Sequence, residues 1–266
     1  MPVSTRRVHA ILMHRLLVQA IVAVTIVALG IGTCVHASHA RPVHSRAKLP
    51  LAGKVIVLDP GHNGGNARHA RDINRPVFIG TGYKACDTTG TTTNSGYPEY
   101  RFTMDVSRRV ARILRERGAK VVLTRRSSRG WGPCITRRAR IGNRAHADAA
   151  ISIHGDGGPV RGYGFHVIRP ARIAGLTDDI AVPSQKLARR IRRALVRGGL
   201  QPATYVGSNG IDIRGDLGGL NLSDIPKVFV ELGNMRNRRD ARNMRKPAWR
   251  EKVAARLASA VTAYVR

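Results

Sequence analysis

Residues 55–62 read VIVLDPGH. The run of β-branched and apolar side chains at 55–58 is the signature of a strand buried on both faces, as in a parallel sheet. Asp59-Pro60-Gly61 then forces a sharp turn and leaves His62 at the strand's carboxyl end. In open α/β sheets, ligands and reacting groups collect outside the carboxyl ends of the strands. Two more strand ends carry chemistry: His154 follows AAISI at 149–153, and Glu231 follows KVFV at 227–230. Glu99 follows Pro98, which opens a helix as proline does at a first helical position.

The rest of the body completes an alternation of strands and helices. Further strands are expected at 54–58, 120–124 and 163–169, with a short apolar piece at 76–80 inside a long insertion (59–97) rich in Gly, Thr and Asn. After Pro98, the residues Phe102, Val106, Val110, Ile113 and Leu114 make a stripe at helical spacing that Gly118 stops. Thr136 is expected to cap a second helix running to Ala147, and a third spans 183–197 ahead of Gly198-Gly199. Trp249, Val253, Leu257, Val261 and Tyr264 mark the closing helix. Such alternation specifies an α/β domain with a mostly parallel or mixed sheet covered on both faces.

Two imidazoles and a carboxylate that converge at strand ends can hold Zn²⁺ and leave a position open for water. A further carboxylate beside that water can act as a general base. A lone histidine is ordinarily a surface or core residue, and a Glu in a helix's first turn ordinarily serves the helix dipole, worth about 0.3–1 kcal/mol. It is the recurrence of strand-end context that separates His62 and His154 from His69, His146 and His166, which are read as structural. Glu231 directly follows a buried strand, where a carboxylate must be paired, metal-bound or working. Asp59 is read as a turn residue or as a group that orients a ligand.

The amino terminus has its own pattern. Residues 1–15 are polar and basic, 16–35 are apolar, and Ser38-His39-Ala40 places small residues ahead of Arg41-Pro42. This is a secretory signal, read as residues 1–40, with an uncleaved anchor as the alternative because the apolar run is long enough to span a bilayer. Either way the body faces outward, so the protein is expected to be secreted, periplasmic or wall-associated. Residues 41–52 form an aperiodic polar lead-in that is expected to be disordered, and 53–266 one domain with chain enough for a real core. Of three cysteines, Cys34 falls in the signal. Cys86 and Cys134 remain, an even pair in an exported chain, neither of them in a CxxC pair, and a disulfide is the expectation.

A formal charge of +30, with 46 basic against 16 acidic residues, invites a nucleic-acid reading. Few aromatics (5%), no binding motif and the export signal argue against specific nucleic acid. Attraction to an anionic wall or membrane surface fits better.

VIVLDPGHNGG (55–65), SGYPEYRF (95–102), RIGNRAHADAAISIHGD (140–156) and IPKVFVELGNMRN (225–237) together resemble the zinc-dependent N-acetylmuramoyl-L-alanine amidases of the amidase_3 type. The likeness covers essentially the whole body and implies a single domain with a sheet of about six strands and helices on both faces. It implies one Zn²⁺ per chain on His62, Glu99 and His154, with Glu231 as the catalytic residue. The implied reaction is hydrolysis of the amide joining N-acetylmuramic acid to L-alanine in peptidoglycan. Asn63, Asn66, Asn209, Arg214 and Asn221 are candidates for substrate contact, and a monomer is expected. Two other classes stay open at this point: a non-catalytic peptidoglycan-binding protein with the same fold, and a different zinc hydrolase such as a peptidase or a sugar deacetylase.

Overall fold

The computed structural model describes residues 49–266. The expected signal segment and residues 41–48 of the lead-in lie outside the described residues, but the end of the lead-in is not disordered: Leu51 is buried in the main core and its amide bonds the Arg117 carbonyl at 2.8 Å. The central sheet has six strands in the order β4-β1-β5-β8-β6-β7. They are β1 (Val55–Pro60), β4 (Lys120–Leu123), β5 (Ala149–Asp156), β6 (His166–Pro170), β7 (Ile211–Arg214) and β8 (Lys227–Asn234). Every pairing is parallel except β6 with β8, so the sheet is mixed. A separate antiparallel ribbon, β2 (Pro76–Phe78) with β3 (Tyr83–Ala85), is built from the long insertion.

Alternation along the central strands gives the sheet two unlike faces, because successive strand side chains point opposite ways. Ile56, Leu58, Ile151, Ile153, Val228 and Val230 belong to the main apolar core. The helices α2 (Glu99–Glu116), α4 (Ala181–Arg197) and α7 (Pro247–Val265) bury their apolar stripes in the same core, α7 packing against both of the others. Phe102, Val106, Val110 and Leu114 are fully buried, as the helical stripe requires. Each such side chain stabilises by roughly 1.5–3 kcal/mol when removed from water. The alternate positions carry only a small apolar cluster around Val57 and Ala150. Their other members are Asp59, Ser152, Lys227 and Phe229. Opposite them stands α3 (Ile135–Arg144), which contacts the single turn α5 (Gly218–Asn221).

On this second face sits a buried ion network. Asp59 accepts hydrogen bonds from the Thr124 hydroxyl at 2.6 Å, Arg138 at 2.9 Å, Ser152 at 2.9 Å and Lys227 at 3.2 Å. Burial alone would raise the pKa of Asp59. Lys227 and Arg138 outweigh that and hold it well below the usual carboxylate range. In the unfolded chain the group titrates near its ordinary value of about 3.9. Its stabilisation is therefore complete above about pH 4 and is lost as the pH falls through and below that value. Urea midpoints measured across this range should drop steeply on the acid side, whereas a flat profile down to about pH 2 would remove Asp59 as a stabilising group.

Several elements differ from the sequence expectation at their ends. β5 and β8 run on through His154 and Glu231 instead of stopping before them. The first residue of α2 is Glu99, and Pro98 is its N-cap. Cys134, not Thr136, caps α3. The strand expected at 163–169 begins only at His166. The short elements β3, β7, α1 (Ala70–Asn74), α5 and α6 (Arg238–Arg245) carry too few periodic residues to be read locally.

Cys86 and Cys134 form a disulfide across a separation of 48 residues. The link joins the end of the insertion to the start of α3, and the Ile135 amide bonds the Cys86 carbonyl at 2.7 Å. Closing a loop of this size stabilises by about 4 kcal/mol in the chain-entropy description. The double variant Cys86→Ser/Cys134→Ser should melt lower by several degrees, and an unchanged midpoint would mean the reduced chain is already constrained there.

Candidate active site

His62 follows β1 with φ 55°, in the left-handed region that a non-glycine residue adopts only when its surroundings hold it there. Its Nδ1 lies 3.0 Å from the Thr88 carbonyl oxygen. That contact makes Nδ1 the protonated nitrogen and leaves the Nε2 lone pair free to bind a cation. Nε2 is 3.1 Å from Glu99 Oε2. Glu99 reaches the site from the first position of α2, and its Oε1 lies 2.9 Å from His154 Nδ1. Backbone amides of Thr91 and Gly155 bond the two Glu99 oxygens at 2.9 and 3.1 Å. His154 comes from β5, its ring stacked on Phe229 at 3.8 Å between centroids and set edge-on to His62 at 4.9 Å.

One ligand atom from each of His62, Glu99 and His154 lies within 4.8 Å of the others. Two imidazoles and a carboxylate so placed could hold a divalent metal ion. Space is kept for it by glycines. A Cβ on Gly61 would come 2.1 Å from the His154 ring, and one on Gly90 (φ 77°) would come 2.7 Å from the His62 ring.

Glu231 is the register partner of His154 on the neighbouring parallel strand, so the two side chains share one face. The carboxylate is buried, and its Oε2 has no hydrogen-bond partner among the described residues. Burial first, and then repulsion from Glu99 and Asp156, push its pKa well above the ordinary carboxylate value. Glu99 shows the opposite. Its neighbours His62 and His154 overcome the effect of burial and keep it ionised. Two carboxylates with opposed environments at one site are the usual mark of divided roles, one binding and one exchanging protons. His62 is shifted upward because Glu99 and Asp87 outweigh burial, while burial shifts His154 downward. All four groups line one cavity of about 460 Å³, which Lys84 and Leu217 also border.

The proposed substrate contacts are not brought together here. Asn63 donates to the Gly132 carbonyl and accepts from the Gly64 amide. Asn66 is spent on the Thr88 carbonyl and the Gly132 amide. Buried Asn221 donates to carbonyls of Ile79 and Gly215. Arg214 is paired with Asp216, and Asn209 with Arg192. None of the five lines the metal-site cavity. The amides serve as bonds between backbone segments because a buried backbone group needs a partner.

Four residues of the site's surroundings escaped the sequence reading. Arg138 bonds Asp59, Asp87 and the carbonyls of Pro60 and His62, so it ties down the turn that presents His62. Lys227 completes the charge balance at Asp59. Phe229 was legible in principle, since it stands two residues before Glu231 on the same strand face. His166, read as structural, is the antiparallel register partner of Glu231, and its buried Nδ1 has no partner among the described residues.

An α/β sheet carrying this cluster near the carboxyl ends of its strands fits a hydrolase, and comparison with known proteins gives its class as the peptidoglycan amidases. Residues 56–263 match the Amidase_3 family model, described as N-acetylmuramoyl-L-alanine amidase. The chain belongs to this family, and it is an N-acetylmuramoyl-L-alanine amidase. It is 40% identical over 230 residues to N-acetylmuramoyl-L-alanine amidase Rv3717 of Mycobacterium tuberculosis, covering 85% of this chain and 93% of that one. Among solved structures, Ami1 of Mycobacterium abscessus superposes with a TM-score of 0.77 at 41% identity, covering 81% of this chain and all (100%) of the other. Ami1 of Mycobacterium smegmatis gives 0.76 at 38% identity, with 81% and 98% covered.

Proposed function

We propose that the protein is an exported zinc hydrolase that cuts the bond between N-acetylmuramic acid and L-alanine of peptidoglycan. In this reading His62, Glu99 and His154 hold the metal and Glu231 moves the proton. The observation that carries it is the placing of unpartnered Glu231 in register with His154, beside three ligand atoms within 4.8 Å of one another. Bound there, zinc supplies a Lewis acid that polarises the amide carbonyl and makes water a stronger acid.

The protein's own groups do the rest. Glu231 accepts a proton from the attacking water and returns it to the departing alanine nitrogen, so that the C–N bond breaks to a free amine. Its buried Oε2, which no other side chain or amide among the described residues engages, is available to take and return that proton. The Glu99 amide contacts and the Thr88 carbonyl hold two of the ligands in orientation. The cavity walls partly shield the reacting amide from bulk water, which strengthens each of these electrostatic contacts. Outside the site, the +30 charge would concentrate a monomeric enzyme on an anionic wall or membrane surface.

Digestion of purified peptidoglycan, with and without a chelator, followed by mass spectrometry is the direct test. Release of intact stem peptide, abolished by chelation and restored by zinc, is expected. Released acetate in place of peptide would show a deacetylase, and binding without products a docking protein. His154→Ala should lower zinc content together with activity, and an undiminished zinc content would remove His154 from the ligand set. Export is checked by the amino-terminal sequence of protein recovered from intact cells, which should begin near Arg41. A chain still starting at its first residues would indicate an anchor.

A further inference from the structure

A second cavity, of about 650 Å³, lies behind the loop that carries His62. Arg75, Arg125, Arg126, Arg137 and Arg140 line it, together with Trp131, and no Asp or Glu does. Elsewhere on the surface, a few arginines have carboxylate partners and many do not. Arg109 and Arg112 meet Glu251, Arg172 meets Asp178, and Arg214 meets Asp216. In this cavity the guanidinium groups of Arg126, Arg137 and Arg140 are exposed and have no acceptor among the described residues. Arg125 at its back is buried. Its donors go to carbonyls of Pro60, Gly61, Tyr100 and Ser127 and to hydroxyls of Thr103 and Ser128, never to a carboxylate. Burial, and then repulsion from Arg138, bring its pKa down to about 9, which an anion nearby would reverse. Five like charges held around one concavity repel one another, and a multiply charged anion is the ligand that offsets this.

We propose that this cavity is a binding site for the phosphate groups of an anionic, phosphodiester-linked polymer. Guanidinium forks match phosphate oxygens bidentately, and several of them converging select a group with three or more acceptor positions. A lipid surface fits less well, because Trp131 is the one large exposed apolar side chain among the lining residues, and it is stacked on His69. Asn63 lines this cavity and adjoins His62, so an occupant would lie just across one loop from the metal site. The site's place on a cell wall rests on the proposed export; phosphate binding itself does not depend on the amidase reading.

Calorimetric titration of the full chain with poly(glycerol phosphate) is the test, at about 0.15 M salt so that diffuse attraction is screened. Neutral dextran and phosphatidylglycerol vesicles are the comparison arms. Saturable binding of the polymer, but not of dextran, is expected. The triple variant Arg126→Gln/Arg137→Gln/Arg140→Gln should weaken it roughly tenfold or more, as expected for lost charge-assisted hydrogen bonds. A control that removes three exposed arginines of α4, Arg189→Gln/Arg190→Gln/Arg193→Gln, should leave the affinity within about twofold of wild type. Equal weakening in both triples would mean net charge alone, and would overturn the site. Failure to bind the polymer, or binding of vesicles only, would do the same. Hydrolysis of a small soluble muropeptide by the cavity triple should stay within about twofold of wild type. Normal hydrolysis with undiminished polymer binding would end this proposal and leave the amidase reading intact.

Discussion

Glu231→Gln is expected to lower kcat by about 10²–10⁴-fold, the range for losing a positioned acid–base group, while zinc content stays at the wild-type level. The amide keeps the shape of the carboxylate and can still occupy the register position beside His154, so the fold has no reason to change. What is lost is the capacity to take a proton from water and give it to the amine. Because that step is made only in the transition state, kcat and kcat/KM should fall together and KM should hardly move. Parallel measurement of bound zinc and of muropeptide turnover separates this from loss of metal. A variant that retains both metal and near-normal turnover would remove Glu231 from the chemistry and turn attention to its register neighbour His166.

Arg138→Met should produce the largest loss of stability, about 3–5 kcal/mol, the cost of breaking a buried ion pair by removing one partner. Arg138 and both of its carboxylate partners, Asp59 and Asp87, are buried. Deleting the guanidinium leaves Lys227 as the one cation on Asp59, beside the Thr124 and Ser152 hydroxyls, and removes a donor from the carbonyls of Pro60, His62 and Gly132. Those carbonyls belong to the turn bearing His62 and to the loop beside the disulfide, so zinc affinity should fall along with the melting temperature. Arg138→Lys should recover little, because one ammonium cannot span two carboxylates and several carbonyls at once. Thermal melts and zinc titration measure both effects. A loss under about 1 kcal/mol would place the network among dispensable ion pairs.

Much of the site could be read from sequence because the relevant signals are local. VIVLDPGH contains both a buried strand and the turn that ends it. Val228 and Val230 against Phe229 and Glu231 show the period of two that assigns faces. The same locality explains where reading failed. Strand ends were placed before His154 and Glu231 because the apolar run stops there, whereas the hydrogen-bonded ladder continues past them to Asp156 and Asn234. Asn63, Asn66 and Asn221 looked available for substrate because a polar side chain in a loop shows nothing of its partners. The fold spends each on a backbone group of another segment.

Sequence by itself determined the α/β class, the inward stripes of the long helices and the cysteine pair, and it singled out the four residues proposed for the reacting centre, since each follows from short-range periodicity or residue chemistry. Only the tertiary structure decided that His154 and Glu231 stand side by side, that Arg138 reaches Asp59 across 79 residues of chain, and that unpaired arginines gather behind the His62 loop. The reason is physical: propensity and patterning act within a few residues, whereas a buried charge is stabilised by whichever partner packing brings to it, however distant along the chain.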